Sequence, residues 1–102
     1  MMNWYVYIIY CSDDSFYTGI SNDVDRRIKQ HASLRGAKYF RGRKPRRLVY
    51  LESGHTRSTA SRREAAIKKL SKKEKIQLLD ADSNEASVDP SFTVSHGHSG
   101  AF

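Results

Sequence analysis

Residues Trp4 to Cys11 read Trp-Tyr-Val-Tyr-Ile-Ile-Tyr-Cys, a run of aromatic and aliphatic side chains ending in a thiol, with no charge and no turn former. Such a run favours extended backbone, where bulky and branched side chains pack well on a pleated surface. Alternation along a strand puts Tyr5, Tyr7, Ile9 and Cys11 on one face and Trp4, Val6, Ile8 and Tyr10 on the other. Both faces are apolar or aromatic, so this strand belongs at the centre of a sheet that is covered on each side. The rest of the chain has to supply that cover.

Ser12-Asp13-Asp14-Ser15 supplies turn formers before a second short strand, Phe16-Tyr17-Thr18-Gly19-Ile20, and the two runs read as a hairpin. Tyr17 and Gly19 share one face of the second strand, while Phe16, Thr18 and Ile20 share the other. Gly19, having no side chain, marks either a bulge or a close approach of another group to the backbone. Ser21, Asn22 and Asp23 are N-cap residues, and Val24, Ile28 and Ala32 recur at i, i+4 and i+8, which predicts an amphipathic helix of about three turns. Arg27 and His31, also one turn apart, project together from a neighbouring stripe. From Leu34 to Arg47 apolar periodicity stops, and lysines and arginines surround Tyr39 and Phe40 in a basic loop. Leu48-Val49-Tyr50-Leu51 reads as a third strand ended by Ser53-Gly54. A second helix is expected from about Ser58 to Leu70, with Ala60, Ile67 and Leu70 inward and Glu64 at the edge of that face, flanked by Arg62, Arg63, Lys68 and Lys69. Ser71 and Glu74 form a capping-box pattern that starts a third helix running to about Leu79. The order β-β-α-β-α-α predicts an α+β domain over residues 1–79, a small three-stranded antiparallel or mixed sheet flanked by helices. Beyond it, residues 80–102 are polar and acidic, and their composition predicts a tail without fixed structure.

A length of 102 residues suits one domain. Cys11 is the only cysteine, so an intrachain disulfide and a cysteine-based zinc site are both excluded. No apolar run approaches the roughly 18–20 residues that cross a bilayer, and the first apolar stretch lacks the features of a signal peptide, which suggests a cytoplasmic location. All 18 lysines and arginines lie before residue 80 beside seven acids, a surplus of +11, whereas the remaining four acids follow Leu79. That density predicts a polyanionic partner, nucleic acid first, with a solvated basic face or an anionic membrane surface as alternatives. Lys38, Arg41, Arg43, Lys44, Arg46 and Arg47 are candidates for phosphate contact. Tyr39 and Phe40 are candidates for stacking on unpaired bases or, alternatively, for packing on the sheet edge. The stacking reading predicts a preference for single-stranded, flapped or branched DNA.

Tyr5-Val6-Tyr7, Tyr17-Thr18-Gly19, Arg27 and Glu64 together resemble the GIY-YIG nuclease superfamily. In the first triplet the final Tyr is kept, and in the second the Tyr and the Gly. The small stand-alone bacterial branch is similar over Trp4 to about Leu79, in its Trp-Tyr-Val-Tyr-Ile opening, Gln30-His31 at the helix end, the Ala37-Lys38-Tyr39 stretch and Arg63-Glu64-Ala65-Ala66-Ile67-Lys68. The resemblance implies a three-stranded antiparallel sheet flanked by helices and an endonuclease that hydrolyses phosphodiesters, with DNA as partner and no membrane, in a superfamily that spans repair, recombination and mobile-element enzymes and leaves a larger repair or recombination partner open. It also implies a single divalent metal, Mg²⁺ or Mn²⁺, held by Glu64. Arg27 would stabilise phosphate charge, Tyr7 and Tyr17 would border the attacking water, and His31 matches a histidine of part of the superfamily. The family's downstream asparagine has no counterpart before Asn84, which lies past the last expected helix, and Asn22 is the substitute at hand. One carboxylate suffices for Mg²⁺ when substrate phosphate and water complete the shell. Tyrosine, with a pKa near 10, acts as a base only where cations favour the phenolate. Water activated by the metal, with Tyr orienting it, is the rival assignment. The other function class open to this chain is a noncatalytic nucleic-acid-binding module.

Overall fold

The computed structural model of the protein describes residues 2–32 and 44–86. The hairpin strands are β1 (Trp4–Cys11) and β2 (Phe16–Ser21), followed by α1 (Val24–Ala32), β3 (Pro45–His55), α2 (Arg57–Lys68) and α3 (Lys72–Leu78). The sheet is antiparallel with strand order β2-β1-β3, so the strand that is apolar on both faces is indeed the central one. The first-strand alternation holds in detail. Val6, Ile8 and Tyr10 join Phe16, Val49, Tyr50, Ala60 and Ile67 in one core cluster, with Ile76, Leu78 and Leu79 packed against it. Tyr7, Ile9 and Cys11 form the other, covered by Val24 and Ile28 of α1 together with Tyr17, Leu48 and Leu51. Helix α1 thus covers one face, and α2 and α3 cover the other. Fully burying an Ile or Val side chain contributes about 1.5–3 kcal/mol, and β1 holds Val6, Ile8 and Ile9 at no more than 1% exposure.

Caps and turns set where the helices begin. Ser71 caps α3 and forms the expected box with Glu74. Helix α2 starts at Arg57 rather than Ser58, because Thr56 is its N-cap and Thr59 closes a second box. Its inward residues Ala60 and Ile67 are fully buried, as their spacing predicts.

Two expectations need correction. The third strand begins at Pro45, not Leu48, and continues through Ser53-Gly54 to His55. Eight residues of β1 need partners along this edge, and a proline is tolerated as the first residue of a strand. Gly54 absorbs a register shift between the pairs Trp4–His55 and Val6–Glu52 by taking φ +79°, a bulge geometry open to glycine without strain. Arg46 and Arg47 are therefore strand residues rather than loop residues. The packed chain also extends beyond Leu79. Asn84 Oδ1 accepts from the Leu51 and Ala86 amides, and its Nδ2 donates to the Val49 and Leu79 carbonyls. The Glu85 carboxylate takes hydrogen bonds from Ser53 at 2.7–2.8 Å. Residues 80–86 are thus fastened to β3.

Candidate active site

Tyr7 and Gly19 face each other across β1 and β2. A Cβ built on Gly19 would lie 2.5 Å from Tyr7 Oη and 2.6 Å from its Cζ, so the Tyr7 ring occupies the space over the glycine. Of the two readings of Gly19, the close approach is the observed one. The phenol is held there with no exposure to solvent. Tyr17, on the same face and half-buried, has its ring centroid 6.3 Å from that of Tyr7 at 51°.

Burial pushes the Tyr7 phenol well above its ordinary range, and the neighbouring Tyr17 and the Glu64 charge push it further. The Arg27 guanidinium, hydrogen-bonded to Tyr7, pulls the other way without restoring it. Tyr7 is therefore a neutral phenol at physiological pH. Residues from β1, β2 and α1 thus meet around this phenol, and the Glu64 charge on α2 is near enough to be felt there.

Arg27 is exposed on the first turn of α1, with its amide bonded to the Asp23 carbonyl at 3.1 Å and its Nη1 3.4 Å from Gln30 Oε1. Arg26, its sequence neighbour, makes no such contact with Tyr7. His31 lies in α1, but its side chain falls outside the described residues.

Glu64 sits one turn after buried Ala60 on α2, which packs mainly against β2 and β1. Its side chain is 24% exposed and pairs with Lys68 at 3.4 Å, while Lys68 is 54% exposed. An i,i+4 surface pair contributes only about 0.3–0.5 kcal/mol, so Lys68 gives way readily to a stronger cation. No group of three or more His, Cys, Asp or Glu side chains gathers to hold a metal among the described residues. The donor set fits Mg²⁺ all the same, since one hard carboxylate beside an open face suits an ion that keeps waters and shares substrate phosphate.

The structure also reveals a polar network that periodicity did not flag. Glu52, 14% exposed, takes hydrogen bonds from Tyr50 at 2.5 Å, from His55 at 2.6 Å and from Arg63 Nε at 3.2 Å. His55 Nδ1 reaches Thr59 at 2.9 Å, and Ser83 Oγ lies 2.8 Å from the Tyr50 hydroxyl. Burial raises the Glu52 carboxyl, but its hydrogen bonds from Tyr50 and His55 and the Arg63 charge outweigh that and leave it below the ordinary range. The network ties β3 to α2 at Arg63, the residue before Glu64, and so sets the rotation of the helix that carries Glu64. An even apolar spacing gives no sign of it.

The basic candidates are dispersed. Lys44 stands beside the hairpin turn, its amide bonded to Ser12 Oγ at 2.9 Å, and Arg47 pairs across from Tyr10. Tyr10 is three residues along β1 from Tyr7, about 10 Å at strand rise. Arg46 is exposed and Arg47 half-buried on β3. Lys38, Tyr39, Phe40, Arg41 and Arg43 lie outside the described residues. Among the described residues no helix is long and apolar enough to cross a membrane.

Residues 3–77 match the family described as the GIY-YIG catalytic domain. The UPF0213 protein BH0048 of Halalkalibacterium halodurans is 54% identical over 78 residues, covering 76% of this chain and 83% of that protein. The UPF0213 protein DP2720 of Desulfotalea psychrophila is 45% identical over 94 residues, 89% of this chain and 86% of that one. The fold is similar to the solution NMR structure of the UPF0213 protein BH0048 from Bacillus halodurans, with TM-score 0.51 and 51% identity over 80% of this chain and 87% of that one. It is likewise similar to the solution NMR structure of the E. faecalis protein EF2693, with TM-score 0.54 and 43% identity over 78% and 88% of the two chains. Two tyrosines on neighbouring strands, a glycine beneath the first, an arginine on the next helix and a glutamate on a later one agree with that match, and the chain belongs to the GIY-YIG family of nuclease domains.

Proposed function

We propose that the protein is a metal-dependent DNA endonuclease that hydrolyses phosphodiester bonds, with Tyr7, Tyr17, Arg27 and Glu64 as its catalytic group. The observation that carries this reading is the meeting of Tyr17 and Arg27 at the phenol of Tyr7 above Gly19, with the Glu64 charge near enough to act on it. Hydrolysis moves negative charge onto the non-bridging and leaving oxygens, and fixed positive groups must stand where it appears. Arg27, exposed at the start of α1, is placed to hold a non-bridging oxygen. Glu64 is the ligand for Mg²⁺ or Mn²⁺, which when bound supplies the remaining positive charge at the phosphate and helps activate water. The oxygen of Tyr7 accepts from Arg27 and so fixes that guanidinium at the edge of the space that the attacking water would enter. Tyr17, the more exposed of the two phenols, is the one placed to receive the water's proton. His31 contributes from the same helix as Arg27. Water attacks phosphorus and passes a proton to Tyr17 as its phenolate, the bond to the leaving oxygen breaks, and that oxygen takes its proton from solvent water.

Lys38, Arg41, Arg43, Lys44, Arg46 and Arg47 would hold flanking phosphates, with Tyr39 and Phe40 stacking on unpaired bases, so single-stranded or branched DNA is the preferred substrate. A cytoplasmic role in repair or recombination, beside a larger partner, agrees with that substrate. The test is cleavage of labelled single-stranded, duplex and flapped DNA with Mg²⁺ or Mn²⁺. Glu64→Gln is expected to lower cutting by at least about 10²-fold and Tyr7→Phe to lower it as well, with binding kept. Salt-sensitive binding without cutting by the native chain would replace the enzyme with a noncatalytic nucleic-acid-binding module.

A further inference from the structure

A cleft of about 400 Å³ opens beside the candidate catalytic group and shares only Arg27 with it. Its walls come from the start of β1, the end of β2 with the first turn of α1, and the start of α2, where Trp4, Asn22, Arg26 and Arg57 join Arg27. Three features separate it from an ordinary surface hollow. The Arg57 guanidinium lies over the Trp4 ring, 5.7 Å from its centroid. Both members of that stack stand on regular elements, Trp4 in β1 against the core and Arg57 on the capped first turn of α2. Finally, three guanidinium groups line the cleft and none is ion-paired among the described residues. The one carboxylate there, Asp23, is committed to capping α1 through the Arg26 amide at 3.2 Å.

Unpaired like charges repel in the free protein and are neutralised when an anion enters between them. A planar guanidinium on an indole is a platform for a nucleobase, because every base presents a π face. The volume lies near the lower end of the roughly 300–1,000 Å³ range of small-molecule pockets, enough for one nucleotide and too little for a duplex. From these observations we infer that the cleft is a subsite for one unpaired nucleotide adjoining the scissile phosphate. Its base stacks on the Trp4–Arg57 pair, its phosphates lie between Arg26 and Arg27, and the Asn22 amide faces the base edge. This rests on the endonuclease reading and specifies its substrate as a strand with at least one base out of the helix. The contacts are separate from those expected of Tyr39 and Phe40.

Trp4 is the only tryptophan, so its emission reports on the cleft directly. The full chain in EDTA is titrated with a single-stranded pentadeoxynucleotide and with the same strand carrying an abasic central position, while anisotropy of an end label reads total binding. The expected result is saturable quenching of Trp4 by the base-bearing strand and binding of the abasic strand weaker by about tenfold. Arg57→Ala and Arg57→Lys, at an exposed position, should each erase most of that difference, the lysine because it keeps the charge but lacks the plane. Equal affinity for the two strands, with Trp4 emission unchanged, overturns the subsite. Metal-dependent cutting that persists alongside that negative result leaves the nuclease standing. Base-dependent quenching in a chain that never cuts supports the cleft and sinks the nuclease instead.

Discussion

Gly19→Ala is the smallest change that tests the packing of the candidate site. The new methyl would stand 2.5 Å from Tyr7 Oη, 2.6 Å from Cζ and 3.1 Å from Cε2. Optimal non-bonded separation is about 3.5–4.0 Å, so the ring has to retreat by about 1 Å. It has nowhere easy to go, because Tyr7 is fully buried beside Tyr17 and Arg27. Overpacking of this kind costs about 1–3 kcal/mol. Alanine at an extended position recovers about 0.4–1 kcal/mol by narrowing the unfolded ensemble. The net loss should be about 1–2 kcal/mol, read in urea unfolding, with a fall in Tm of about 5–15 °C for a domain of this size. Cutting should fall more steeply, by about 10²-fold, since a 1 Å displacement is enough to spoil a reacting geometry. The decisive assay is a double-mutant cycle with Tyr7→Leu, which removes the ring atoms that clash. Gly19→Ala should cost at least about 1 kcal/mol less in that background. An equal cost in both backgrounds would refute the contact as the cause.

Asn84→Ala removes an amide that meets four backbone groups and should destabilise by about 2–3 kcal/mol in chemical denaturation. Thr18 is 2% exposed, and its hydroxyl has no hydrogen-bond partner among the described residues, so Thr18→Val should stabilise by about 1 kcal/mol. A loss of stability would reveal a partner for that oxygen. Tyr7 and Tyr50 are both pushed above the ordinary value of 10.0, chiefly by burial. The folded chain then holds protons that the unfolded chain releases, so their contribution is complete below pH 10 and is lost as pH rises beyond it. Urea midpoints between pH 8 and 11 should decline, less so in Tyr7→Phe, and an identical decline in that variant would contradict the assignment.

Much of the architecture was legible because it rests on local rules. The two-faced strand placed itself at the centre of the sheet, and alternation assigned Tyr7 and Val6 to opposite clusters before any contact was known. Ser71 and Glu74 marked a helix start through a three-residue spacing that works wherever it occurs. Gly19 stood out as a residue with room above it. The end of β3 was misjudged because Ser53-Gly54 is a turn signal in isolation, and pairing with the far end of β1 overrides it. The Glu52 network escaped notice because its members span residues 50–63 and return at Ser83, so no window along the chain contains it.

The candidate site divides along the same line. Sequence alone determined which residues are available: two tyrosines on a hairpin, an arginine on the next helix and a glutamate at the rim of a buried helix face. Their places on strands and helices follow from a period of two or 3.6 and from turn chemistry within a few residues, while their grouping as one site came from the family resemblance. Only the tertiary structure decided that Tyr7 is buried over Gly19, that the Arg27 guanidinium meets its oxygen, and that Trp4 and Arg57 stack across a cleft. Those outcomes depend on how the helices dock on the sheet, a balance of packing and desolvation among residues far apart in the chain. Local propensity carries no record of that balance.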